Sequence, residues 1–73
     1  MNREAAKLKK LGRNIFKHRR SKGWSQNVFA EMVDVSREHL SKIEAGMVRP
    51  SISLLFKIAD ALEVTEEELF KYQ

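Results

Sequence analysis

The chain has 73 residues and no cysteine, which excludes disulfides, thiolate metal sites and cysteine nucleophiles and leaves stability to packing, helped at this size by oligomerisation. No apolar run approaches the roughly 18 residues of a membrane span, and "MNREAAKLKKLG" lacks a signal-peptide core, so one cytoplasmic domain over 1–73 is expected. Residues 1–22 hold nine Lys/Arg and one Glu, a net +8, whereas 23–73 hold five Lys/Arg and nine Asp/Glu, a net −4; this suits an anionic partner or, equally, a solvated basic helix.

With three Gly, one Pro and no sustained alternation of apolar and polar residues, the class is all-α. Leu8, Leu11, Ile15, His18 and Lys22 recur at 3-4-3-4 spacing and predict one face of a helix over Asn2–Ser21. Gly23 suits the left-handed position that closes it. His18 reads as a half-buried residue with its polar edge in water, since His39 is the only other histidine. Trp24 sits where an apolar residue staples a following helix, against Val28 or Phe29.

Ser25 is a favourable N-cap for a second helix, 26–33, with Phe29, Ala30 and Val33 inside and Asp34-Val35 as its turn. Ser36 caps a third, 37–45, whose Leu40 and Ile43 point inward while Glu38, Ser41, Lys42 and Ala45 point outward, with Arg37 at the edge; Gly46 ends it. "MVRP" is a loop, because Pro50 disfavours helix at Arg49. The fourth helix, 52–62 after Ser51, has an apolar arc too wide for one core-facing stripe, so it is central or shares its surface with a partner. The fifth, 66–71, opens on "TEEE", where Thr65 and Glu68 can form a capping box; Leu69 and Phe70 can fold back on the core.

Two short helices joined by a tight turn, the second outwardly polar, describe a helix-turn-helix, with 36–45 as the recognition helix of a DNA major groove. Arg37 and Lys42 can donate to guanine O6 and N7, Glu38 can accept from cytosine N4, and Ser41 can do either. Gln26 can reach a base or a phosphate, and Arg49 a phosphate. The bland alternative is a solvated face with a Glu38–Lys42 ion pair of about 0.3–0.5 kcal/mol.

Arg19, Lys22-Gly23, Ser25-Gln26, Ala30, Val35-Ser36, Ile43-Glu44, Gly46, Pro50-Ser51, Ile58-Ala59, Ala61-Leu62, Val64 and Leu69 stand at fixed offsets from about Leu11 to Phe70. In this the chain resembles the phage-repressor/Cro-type helix-turn-helix family. The resemblance implies a compact five-helix, lambda-repressor-like domain that binds double-stranded operator DNA as a homodimer, without catalysis. It further implies a structural ion pair between Arg19 and Glu44, base-reading at Gln26, Arg37, Glu38 and Lys42, and phosphate contacts at Asn27, Ser36 and Arg49. Asp34 stands where the family favours Gly, His18 replaces an aliphatic residue, and Glu63 replaces a frequent Gly.

A symmetric dimer would set two recognition helices about 34 Å apart on a palindrome. Its surface is expected at Phe56, Phe70 and Tyr72, from the excess of apolar residues near the end of the chain, the alternative being that all of them pack inside. No cofactor, metal or small-molecule effector domain is expected. The circuit suggested is autoregulation, as in restriction–modification controllers, small phage or plasmid repressors, or antitoxins. A rival is a protein-bridging module of the same fold that reads no DNA. RNA binding lacks an aromatic stacking platform, and an enzyme lacks any nucleophile paired with a base.

Overall fold

The computed structural model describes residues 3–71, which form five helices and, among the described residues, no strand: α1 (Arg3–Ser21), α2 (Gln26–Met32), α3 (Arg37–Glu44), α4 (Ile52–Leu62) and α5 (Glu66–Leu69). The five-helix, all-α architecture matches the expectation from sequence. Three helices stop earlier than expected: α2 and α3 by one residue and α5 by two.

The reason lies in how the helices start and stop. Each of α2 to α5 begins on a hydroxyl that accepts the amide three residues on: Ser25 from Val28, Ser36 from His39, Ser51 from Leu54 and Thr65 from Glu68, at 3.0–3.1 Å. Each of α1 to α4 ends with the same pair of reversed bonds. Trp24 N reaches Arg19 O and Gly23 N reaches Arg20 O; Val35 N reaches Ala30 O and Asp34 N reaches Glu31 O. Met47 N reaches Lys42 O and Gly46 N reaches Ile43 O; Val64 N reaches Ala59 O and Glu63 N reaches Asp60 O.

The two devices are fused in three of the four connections. Gly23-Trp24-Ser25, Asp34-Val35-Ser36 and Glu63-Val64-Thr65 each place a left-handed residue, then an apolar one, then an N-cap. The apolar residue closes one helix and staples the next: Trp24 stacks on Phe29 with ring centroids 5.8 Å apart, and Val35 and Val64 pack against the core. Asp34 and Glu63 both adopt φ of 61°, a conformation that costs an L-residue roughly 1–2 kcal/mol. Glu63 is also held by the Lys22 ammonium at 2.6 Å, whose hydrogen bond and charge lower its pKa. That contribution is present above the ordinary carboxylate pKa and fades as pH falls through the lowered value.

The core is Leu11 and Ile15 of α1, Phe29, Ala30 and Val33 around α2, Leu40 and Ile43 of α3, Leu54, Ile58, Ala59 and Leu62 of α4, and Leu69 of α5. His18 is half-buried. Helix α4 divides as its wide arc suggested: those four residues enter the core, whereas Ile52 and Phe56, four apart, stay 67% and 52% exposed. Leu69 folds back onto the core, but Phe70 does not, remaining 50% exposed. The end of α5 is held by buried Asn14, whose Nδ2 donates to Leu69 O at 2.8 Å and Lys71 O at 2.7 Å.

Two glycines let α1 cross the end of α3. A Cβ at Gly12 would lie 2.5 Å from Glu44 O and closer still to Ile43 O; one at Gly46 would lie 2.6 Å from the Lys9 Cα. Opposite outcomes are expected from two substitutions. Gly12→Ala improves helix propensity by about 1 kcal/mol, yet it should destabilise the chain by about 1–3 kcal/mol through this clash. Asp34→Gly should stabilise by about 0.5–1 kcal/mol, because the relief of φ exceeds the added unfolded-state entropy. Thermal melts of the two variants beside the parent measure both.

Candidate nucleic-acid interface

Helix α3 owes its orientation to both ends. Its start is fixed by the Asp34-Val35-Ser36 connector to α2, and its inner face by Leu40 and Ile43, both buried. Its end is fixed by Glu44. The Glu44 carboxylate takes a two-pronged pair from Arg19, Nε to Oε2 at 2.7 Å and Nη2 to Oε1 at 3.0 Å, with side chains only 5% and 4% exposed. Arg19 Nη1 also donates to Trp24 O at 2.8 Å, and Gln26 Nε2 donates to Glu44 Oε1 at 3.0 Å. One buried carboxylate thus joins α1, the first connector, the start of α2 and the end of α3.

The outer face follows from this. Arg37, Glu38, Ser41, Lys42 and Ala45 are exposed on one side of α3. Among the described residues neither Glu38 nor Lys42 is ion-paired, so the side chains are not spent on each other. Gln26, at the start of α2, is half-buried and its amide is tied to Glu44. Asn27 and Ser36 are exposed; the Ser36 Oγ accepts its capping bond, and its O–H remains a donor. Arg49 is exposed in the loop after α3, where its Nε meets Glu4 Oε2 of α1 at 2.8 Å.

Phe56 and Phe70 are both half out of the core, and Tyr72 lies outside the described residues. Ile52, one turn before Phe56 on α4, is more exposed still and was not singled out from the sequence. Three other residues escaped sequence reasoning. Gly12 had a signal, since a glycine inside a helical pattern marks a close approach. Asn14 and Glu4 had none: their partners are 55 and 45 residues away.

Comparison with known proteins adds to this geometry. Residues 15–69 match the family model described as Helix-turn-helix. The chain belongs to the helix-turn-helix family. It is similar to the HTH-type transcriptional regulator SlrR of Bacillus subtilis, 44% identical over 61 residues that make up 82% of this chain and 40% of SlrR. The chain spans about half the length of further curated relatives, 47–49%. Among solved structures, the restriction-modification controller protein C.AhdI from Aeromonas hydrophila superposes with a TM-score of 0.85 at 32% identity, covering 89% of this chain and 98% of that one. An HTH_3 family transcriptional regulator from Vibrio cholerae superposes with a TM-score of 0.82 at 30% identity, covering 92% of this chain and 38% of that one. These helix-turn-helix proteins are transcriptional regulators, a DNA-binding class without catalysis. No helix among the described residues is long and apolar enough to cross a membrane.

Removing one partner of the Arg19–Glu44 pair leaves a buried charge unmatched, so Glu44→Ala should cost about 3–5 kcal/mol. Urea denaturation checks this; a midpoint equal to that of the parent would show that the pair holds nothing together.

Proposed function

We propose that this chain is a sequence-specific DNA-binding transcriptional regulator that works in the cytoplasm as a homodimer on a palindromic operator, with α3 in the major groove. The observation that carries the reading is the outer face of α3. It offers Arg37, Glu38, Ser41 and Lys42 to solvent on a helix whose inner face and both ends are fixed. Donors and acceptors held in this way suit base edges, and their fixed setting limits the ordering cost of binding.

Base-reading is assigned to Arg37, Glu38, Ser41 and Lys42. Gln26 joins them at the rim, where its amide is steadied by Glu44. Asn27, Ser36 and Arg49 take phosphates. The Ser36 O–H supports this role, and so does the Glu4 carboxylate beside Arg49, an anion already held at that guanidinium. The exposed Phe56 and Phe70 support a dimer surface near the C-terminal end of the domain; Tyr72, outside the described residues, is assigned to it from the sequence. Likeness to a restriction-modification controller supports autoregulation of the operon that encodes the chain.

Selection of random duplexes by the purified protein at about 150 mM salt tests the reading. A palindrome with half-sites about one helical turn apart is the expected result. Arg37→Ala should cost about 1–3 kcal/mol and relax preference at one base pair of each half-site. Enrichment of no motif, with salt-sensitive binding alone, would turn the reading toward a protein-bridging module.

A further inference from the structure

The nine cations of residues 1–22 do not form one undifferentiated basic helix. Lys9, Arg13, Phe16 and Arg20 follow a 4-3-4 spacing, which puts them in one straight row along α1. All four are exposed. Lys7, Lys10, Asn14 and Lys17 follow a 3-4-3 spacing and form a second row. The two rows border largely different elements. Lys7 and Lys10 line a cavity with Phe70, and Lys10, Asn14 and Lys17 line another with Lys71 that also reaches Arg13 of the first row, so the second row borders the C-terminal end of the fold.

The first row borders α3. Lys9 is so close to Gly46 that no Cβ fits between them, and Lys9, Arg13 and Phe16 line one cavity with Glu44. Glu44 in turn holds Gln26. The row therefore flanks the end of α3, next to the carboxylate that holds the start of α2.

Charge distinguishes these cations from their neighbours. Arg19, Lys22, Arg49 and Lys71 each face a carboxylate. Among the described residues Lys9, Arg13 and Arg20 are ion-paired to none. Arg20 is instead steadied over the Phe16 ring at 5.6 Å, which keeps its guanidinium along the row.

We infer that Lys9, Arg13 and Arg20 form a third line of contact to the DNA phosphate backbone, beside α3. The inference rests on the DNA-binding reading above. The row carries three cations on α1 rather than on the helix assigned to the groove, so it meets the backbone and adds affinity and steering without sequence preference.

The test compares two variants that lose the same charge. Lys9→Ala/Arg13→Ala/Arg20→Ala empties the first row, and Lys7→Ala/Lys10→Ala/Lys17→Ala empties the second. Operator affinity is measured for each across about 50–200 mM salt, after the selected motif is known. The first variant is expected to lose roughly 5.4 from the slope of log affinity against log salt, at about 0.9 per contact and three contacts from each protomer of the dimer. Across that range the parent then loses roughly 1,800-fold more affinity than the variant. The second variant should keep the parental slope, and the first should still select the parental motif.

A parental slope in the first variant, or an equal loss in both, overturns the inference. Melting curves verify folding. If the first triple variant is unfolded, Lys9→Gln/Arg13→Gln repeats the test with the Arg20–Phe16 contact intact, and a slope loss of roughly 3.6 is expected for the dimer. The two readings fail differently. A parent that selects no motif removes the DNA-reading role of α3, and the inference falls with it. A parent that selects a motif through Arg37 but whose slope ignores the first row loses only the inference.

Discussion

The buried Arg19–Glu44 pair is the constraint on which the remainder of the fold depends. Taking two charges out of water is costly, and an apolar pair of the same volume would often be at least as stable. What the ion pair supplies is direction. A guanidinium presents its donors in a rigid fork, and here Nε and Nη2 meet one carboxylate while Nη1 meets the Trp24 carbonyl. Hydrophobic contacts tolerate sliding, but this fork satisfies its bonds in one arrangement only. The end of α3 is thereby fixed against α1, and Gln26 brings the start of α2 to the same carboxylate. Gly12 then admits α1 to within contact of the α3 backbone. Pair and glycine act together, because the guanidinium reaches Glu44 only if the helices approach this closely.

A second constraint is the brevity of the parts. Helices of seven and eight residues are unstable in isolation, since nucleation costs more than so few bonds return. Their persistence rests on ends as much as on faces. The connector of a left-handed residue, an apolar residue and a hydroxyl satisfies the last carbonyls of one helix and the first amides of the next within three positions. It also sets the angle between the helices, because the apolar residue must reach the core from both. The conformation is required even where the residue is poor for it, as at Asp34 and Glu63. Backbone geometry prevails there over side-chain preference, and Glu63 offsets part of the strain with Lys22.

Much of this was legible in the sequence because its signals are local. The hydroxyl caps, the glycines after α1 and α3, and the apolar periodicity of α1 each act within one or two turns, and the helices fall where those signals put them. The ends of α2, α3 and α5 were overextended by one or two residues, since periodicity continues through a cap that hydrogen bonding has already closed. Nothing in periodicity marks Arg19, one of nine cations in its segment, as the buried one; only the family resemblance singled it out together with Glu44. Asn14, Glu4 and the division of α4 into core and exposed residues depend on which elements meet, and that information is distributed over partners some 45–55 residues away. The candidate reading face was legible in outline, as a polar outer face behind Leu40 and Ile43. The tie of Gln26 to Glu44 was not, because it requires the end of α3 to come back to the start of α2.

The distribution of charge follows from the same geometry. A small domain has few positions where an ion pair can be held rigidly, and Arg19 with Glu44 occupies one of them. The other cations of α1 are left on its outer surface, where pairing contributes little and side chains stay solvated. Turned outward as two rows, they repel one another as well as any like-charged neighbour, a cost that falls when an anion of matching spacing arrives. A polyanion supplies such charges in a line, and a helix displays its cations in a line when they recur every three or four residues. The acidic residues of the second half offset only part of this: Glu44 and Glu63 meet Arg19 and Lys22, whereas Glu66, Glu67 and Glu68 sit in the first turn of α5, where they favour the helix they begin. A chain of modest net charge thus keeps a strongly basic side, and the separation arises from helix ends claiming the acids while one long helix carries the bases.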